Sequence, residues 1–145
     1  MEKLLSYFSF AGRTKRQRYW LTSLAMYGVL LVTGLIAVLV PLIGGILALI
    51  VFIAILWAML ALSTRRLHDR NKSGWWLVAM YLPVGLVSAF AAAVSVAEPD
   101  AGSAIGLLSL PFTIWAFIEL GCMKGTSGSN RFGPDPLLPV SDAFA

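Results

Sequence analysis

The chain is short of charge, of cysteine and of histidine. Only 12% of its 145 residues are charged, about half the ~25% usual in soluble domains. It has one cysteine, Cys122, and one histidine, His68. A lone cysteine excludes an intrachain disulfide, and with one histidine it leaves no cysteine–histidine zinc set. Gly125, Gly128 and Gly133 imitate a phosphate loop only superficially, because the lysine-serine/threonine ending is missing. His68 and Asp69 are adjacent, and neighbours on a helix point about 100° apart, so they do not form a base-and-orienter pair unaided. No catalytic residue, metal site or cofactor is therefore expected, and an enzyme is not the favoured class. Acids are scarcer than bases, seven against eleven. In a soluble protein that excess would suggest nucleic acid.

What the chain has in abundance is apolar sequence. Hydrophobic residues make up 59% of it, with a mean hydropathy of +0.82. A single soluble core of this length cannot hide so much apolar surface, so lipid is the expected solvent. Four runs stand out: Trp20 to Val40, Gly44 to Leu62, Trp75 to Ala97, and Ala104 to Met123. Each is near the ~20 residues needed to cross about 30 Å of hydrocarbon. The first run is too long for the ~7–15-residue core of a cleaved signal peptide. The expectation is an all-α, four-transmembrane-helix bundle forming one membrane domain over residues 1–145. Within it, 1–19 reads as a basic interfacial segment, 20–123 as the four helices and 124–145 as a turn-rich tail.

In a membrane protein the basic excess reads as orientation and contact with anionic lipid, not nucleic acid. All 11 basic residues fall before the first run, between the second and third, or after the fourth. The connections "PLIGG" and "AEPDAGS" carry none, and the second holds only Glu98 and Asp100. The positive-inside rule then predicts short extracytoplasmic hairpins, a basic cytoplasmic loop and both termini in the cytoplasm. The segment ahead of the first run fits the same side. Leu4, Leu5, Tyr7, Phe8 and Phe10 suit the membrane interface, with the bases from Arg13 to Arg18 at phosphate level.

The loop "RRLHDRNKSGWW" (65–76) packs five charges into its first eight positions. Arg65 and Arg66 precede Asp69 by four and three residues, the weaker order for a helical ion pair. An acid at a helix C-terminus also opposes the macrodipole. Asp69 therefore calls for a cation from elsewhere, and Arg13 or Arg16 are the forked donors expected to supply it. Asn71 suits a left-handed helix end, and Ser73 a cap for the third helix. Trp75 and Trp76 suit the headgroup level, as Tyr19 and Trp20 do before the first helix. The tail "GTSGSNRFGPDP" (125–136) reads as a fixed turn folded back on the helix ends.

Three ordered motifs carry a likeness. "FAGRTKRQRYW" (10–20), "RRLHDRNKSGWW" and "GTSGSNRFGPDP" together resemble the small bacterial inner-membrane proteins of the YhaH/YhaI type, the domain of unknown function 805 family. The resemblance implies a four-helix protein of the bacterial inner membrane and implies no activity. Two positions depart from it: Asn71 stands where glycine is expected, and Glu119 lies where the fourth helix should be wholly apolar.

The candidate site is a cytoplasmic interaction cluster of Gly12, Arg13, Arg16, Arg65, Arg66, His68, Asp69, Asn130 and Asp135. Its expected partners are membrane lipids, anionic above all, or a protein partner or second copy. Glu119 is a separate candidate, the only charged residue well inside an apolar run. Intramembrane carboxylates are costly and mark function or an ion pair. With the helix-interrupting Pro83 and Pro111, Glu119 raises the alternative of a small transporter or channel. Small-residue stripes at Gly85, Ala89 and Ala93, and at Ala54, Ala58 and Ala61, favour a compact bundle and would equally serve dimerisation.

Overall fold

The structure, a computed structural model, describes residues 6–137. After a single 3-10 turn at Ser6–Phe8, four long helices follow: α1 (Arg16–Leu39), α2 (Pro41–Asp69), α3 (Trp76–Ser95) and α4 (Pro99–Cys122). All four are long and apolar enough to cross a membrane. No strand forms among the described residues. Asn130 and Gly133 make one isolated antiparallel bridge in the tail.

Three of the helices, α1, α2 and α4, begin earlier than their apolar runs suggest. "PLIGG" is not a loop: Pro41 is the first residue of α2, where its missing N–H and fixed φ suit a helix start. Pro99 opens α4 in the same way, so "AEPDAGS" is mostly helix. The hairpins turn within Val40 and within Val96–Glu98. Ser73 does not cap α3 with its side chain. Instead the carbonyls of Ser73 and Gly74 accept the N–H groups of Trp76 (3.2 Å) and Leu77 (2.9 Å) in a tight turn.

The helix α4 changes pitch twice. Pro111 cannot bond the carbonyl of Leu107, and that carbonyl instead accepts the N–H of Leu110 in a 3-10 turn at Leu107–Ser109. At the other end, Met123 N–H reaches Ile118 O (3.0 Å), closing a π turn over Ile118–Cys122. Pro83 is accommodated inside a continuous α3.

The bundle is open along the Gly85, Ala89 and Ala93 stripe, contrary to the compact packing expected there, while Ala58 and Ala61 of the other stripe are buried. α1 packs on α2 and α3 on α4, whereas the hairpins meet almost only where α3 begins and α4 ends. Gly85, Ala89 and Ala93 are exposed, since helix α3 turns that stripe away from its neighbours. The core sits at one end: Tyr19, Leu62, Leu67, Leu77, Met80, Ala116 and Leu120. We call it the basic end, because the segments carrying Arg13 to Arg18, Arg70 to Lys72 and the tail converge there. α2 has 29 residues, about 43 Å at ~1.5 Å each, so it outreaches ~30 Å of hydrocarbon by more than two turns. Its projecting end is buried without interruption from Ala61 to Leu67, enclosed on all faces as a core helix is. The preceding segment lies along it, with Phe10 edge-on to Trp57 at 5.4 Å.

The first hairpin closes through Gly44. A Cβ there would fall 2.6 Å from Ile36 O and 2.7 Å from Ala37 Cα, both backbone atoms. Gly44→Ala is expected to destabilise the protein by about 1–3 kcal/mol, the range for overpacking. Gly45→Ala, with nothing within 4 Å, should not. Unfolding curves in detergent micelles compare the two, and equal behaviour would contradict this packing.

Candidate functional site

At the end of α4 the backbone exposes carbonyls that no further turn can satisfy. Five in succession receive side-chain donors from α1, α2 and the loop after α2. Arg70 Nη1 approaches Glu119 O (3.5 Å), Arg66 Nε bonds Leu120 O (2.9 Å), and Trp20 Nε1 bonds Gly121 O (3.1 Å). Arg16 Nη1 bonds Cys122 O (3.0 Å), and Arg66 Nη2 bonds Met123 O. The π turn presents these carbonyls, and cations suit the negative end of the helix dipole. Gly121 lets the Trp20 ring lie against the backbone, since a Cβ would meet that ring at 2.5 Å.

The end of α2 is capped by the tail in return. Asp69 O accepts both Thr126 N–H (2.8 Å) and Thr126 Oγ1 (3.0 Å). His68 O accepts Asn130 Nδ2 (2.9 Å), and Asn71 O accepts Arg131 Nη2 (3.1 Å). Asn71 ends the helix in the left-handed region, φ 57°, as its side chain tolerates. The His68 ring stacks flat on Phe132 at 3.8 Å, and its Nδ1 lies 3.2 Å from Gly12 O.

The Asp69 carboxylate joins the two caps. Arg13 Nε donates to Oδ1 (3.1 Å), and Arg66 Nη1 donates to Oδ2. Both arginine side chains are at most 1% exposed. The remaining Arg13 donors bond Gly128 O (2.6 Å) and Thr126 O (2.6 Å), with Gly133 O more distant at 3.4 Å. One guanidinium thus ties the N-terminal segment to α2 and to three carbonyls of the tail, which only the five-donor fork of arginine can do. Gly125 passes so close that a Cβ would sit 2.0 Å from Asp69 Oδ2. Asp135 closes the tail turn by accepting the N–H groups of Leu137 and Gly128 (both 2.9 Å). The Leu137 bond above all, with help from Gly128 and the Arg13 charge, holds its carboxyl below the usual range.

The structure therefore gathers Gly12, Arg13, Arg66, His68, Asp69, Asn130 and Asp135 into one clasp, with Arg16 on its rim. Arg65 stands apart. Its guanidinium turns back along α2 toward Ala61 O (3.4 Å), while its own carbonyl accepts Thr14 N–H. Glu119 is separate too. Its Oε2 lies 3.2 Å from Arg70 Nη1 and its Oε1 2.6 Å from Lys72 Nζ. The Lys72 contact is a charge pair without hydrogen-bond alignment, so Oε1 has no bonded donor. Thr126, Phe132 and Lys72 were missed in the sequence. Lys72 was the one with a signal, as a cation able to reach a solitary acid. Among the described residues no group of three or more His, Cys, Asp and Glu could hold a metal.

Beside the clasp lies a cleft of about 430 Å³. Lys15, Arg16, Lys124, Thr126 and Ser127 line it, together with Asp69 and Asp135.

The double salt link makes a sharp thermodynamic prediction. Arg13→Ala and Asp69→Ala should each cost about 3–5 kcal/mol, as for one member removed from a buried pair. The double variant should fall short of their sum by ~0.5–3 kcal/mol. Gly125→Ala should destabilise the native chain yet be near neutral on the Asp69→Ala background, where the clashing oxygens are gone. Unfolding in micelles reads all of these, and additive losses would dismiss the clasp.

Comparison with known proteins agrees with the architecture. Inner membrane protein YhaI of Escherichia coli K12 is 31% identical over 137 residues, 92% of this chain and 90% of that protein. Inner membrane protein YhaH of the same strain is 30% identical over 146 residues, 95% of each. Uncharacterized protein YiiR is 31% identical over 130 residues, 88% of this chain and 86% of that one. No solved structure matches. Residues 7–134 match the family described as Protein of unknown function (DUF805), and the chain is a four-helix member of that family with relatives in the bacterial inner membrane.

Proposed function

We propose that the protein is a non-enzymatic membrane interaction module, with its basic end in the cytoplasm, that holds the phosphate of an anionic phospholipid in the cleft beside the clasp. The observation that carries this reading is the division of labour among the cations. Arg13 and Arg66 are buried and bonded to Asp69 and to carbonyls, so they serve the fold. Lys15 and Lys124 are exposed on the cleft and form no ion pair among the described residues. Arg16 and the Ser127 hydroxyl stand beside them, whereas the Thr126 hydroxyl already donates to Asp69 O. Two ammonium groups, a guanidinium and a hydroxyl around a shallow cleft suit a tetrahedral oxyanion. The cleft lies just beyond the helix ends, the level of headgroups, where each lysine contributes about 1 kcal/mol toward an anionic leaflet. The cytoplasmic orientation rests on the same asymmetry, because positive charge is retained on that side. Glu119 is engaged by Arg70 and Lys72 at the helix ends, which favours an ion-pair role over the transporter alternative.

Native mass spectrometry from nanodiscs holding phosphatidylglycerol and phosphatidylcholine tests the site. Anionic lipid should stay bound to the native chain, and Lys15→Ala/Lys124→Ala should weaken that retention by about tenfold or more. Thermal stability should not change, since neither lysine belongs to the clasp. Equal retention by the variant would defeat the proposal, and so would a co-purifying protein that the variant releases in place of lipid.

Orientation has its own probe in Cys122, the only cysteine and exposed at the basic end. A membrane-impermeant maleimide should label it in inverted vesicles and not in intact spheroplasts. The opposite pattern would reverse the topology.

A further inference from the structure

The hairpins part as they leave the clasp, and the largely apolar gap between them carries hydroxyls at a depth where lipid chains offer none. A crevice of about 310 Å³ opens between α1, α3 and α4, at the small end of the ~300–1,000 Å³ of ligand pockets. Tyr19, Trp20, Tyr27, Tyr81 and Phe117 put five aromatic rings on its walls. Trp20 meets Tyr19 and Phe117 edge-on at 5.9 and 5.5 Å, a prepared corner that a flat ring can enter. Tyr81 also lines the apolar groove on the other side of the gap, between α2 and α3. The space therefore extends to both sides of that residue.

The hydroxyls in the crevice are unevenly satisfied. Ser23 Oγ donates to Tyr19 O (2.8 Å) and Thr113 Oγ1 to Ser109 O (3.1 Å). The hydroxyl of Tyr19 meets Ser63 and Ser23. Tyr27 and Tyr81, 57% and 45% exposed, have no hydrogen-bond partner among the described residues. Tyr81 lies five residues into α3 and Thr113 nine residues before the end of α4. At ~1.5 Å per residue they sit about 8 and 14 Å from the basic end of their helices. Phospholipid chains at such depth offer only hydrocarbon, and a phenol O–H left without an acceptor there is costly.

The geometry points to a binding site for a lipid-soluble ligand whose flat ring carries carbonyl acceptors, of the para-quinone class, seated between the hairpins with its apolar tail in the bilayer. Ring-lined walls accept the flat head, the Tyr27 and Tyr81 hydroxyls supply the donors, and the opening to lipid admits the tail without passage through water. The site is independent of the phosphate cleft, with which it shares no cation. A phospholipid ester carbonyl drawn below its usual level would offer the same acceptor chemistry, and the experiment separates the two.

The chain is placed in nanodiscs of diacyl phosphatidylcholine and titrated with a benzoquinone bearing a two-isoprene tail, and bound quinone per chain is read by native mass spectrometry. Binding should saturate at one per chain and raise the melting temperature. Tyr27→Phe/Tyr81→Phe keeps both rings and should weaken binding at least tenfold while the helical circular dichroism is retained. Should the double variant fail to insert, each single change should still weaken binding measurably. Uptake no greater than in protein-free discs, or uptake indifferent to the Phe substitutions, would overturn the inference. So would a chain that ignores quinone but loses stability when ether-linked lipid replaces ester-linked lipid, because the acceptor would then be the ester carbonyl.

Discussion

The structure depends on the need of one helix end to bond its last carbonyls. The five from Glu119 to Met123 lie in, and one residue beyond, the π turn at the end of α4, where no following turn exists to use them. Guanidinium groups meet that need better than any other side chain, because one arginine donates in several directions and stays charged. Arg66 illustrates it: one side chain bonds Leu120 O, Met123 O and the Asp69 carboxylate. Arg66 comes from α2, so satisfying α4 joins the first hairpin to the second. Asp69 then draws in Arg13, and Arg13 draws in the tail. Each link leaves a donor or acceptor that the next one satisfies.

This explains why the core lies at one end. In water the apolar faces of four helices would press together along their length. In lipid that drive is absent, since hydrocarbon solvates a leucine as well as another leucine does. What remains to hold the hairpins is polar bonding, and polar bonding is concentrated where the chain carries polar residues. The hairpins are therefore firmly joined at the basic end and diverge from it. The divergence leaves room between them, lined by tyrosines, and the clasp leaves a cleft beside it, lined by lysines. Both spaces follow from where the bonds are.

The same logic separates two kinds of cation that a charge count treats alike. Arg13 and Arg66 act inward, as donors to backbone and carboxylate. Lys15 and Lys124 face the surroundings. Arginine suits the first task by its planar fork, and lysine suits the second as a mobile point charge. The clasp and the surface available to a partner are adjacent but chemically distinct.

Much of this was legible in the residues. The apolar runs determined four membrane helices, because length and hydropathy are local properties and hydrocarbon tolerates little else. The misplaced charge of Asp69 determined that a distant cation was wanted, since its local partners stand in the weaker order and the helix dipole repels it. The motifs at 10–20, 65–76 and 125–136 marked the parts of the clasp. Other features were decided only by tertiary structure. Pro41 and Pro99 read as loop markers, yet both sit at helix starts, because a proline at the first helical position forfeits no bond. The stripe of Gly85, Ala89 and Ala93 promised a close contact, but small residues only permit approach, and no partner was brought to them. That Arg13 reaches Asp69, that Arg65 turns away, and that Glu119 meets Lys72 and Arg70 depended on which helix ends stand side by side. Sequence spacing holds no such information between segments about fifty residues apart. It is the closing of hydrogen bonds in three dimensions that supplies it.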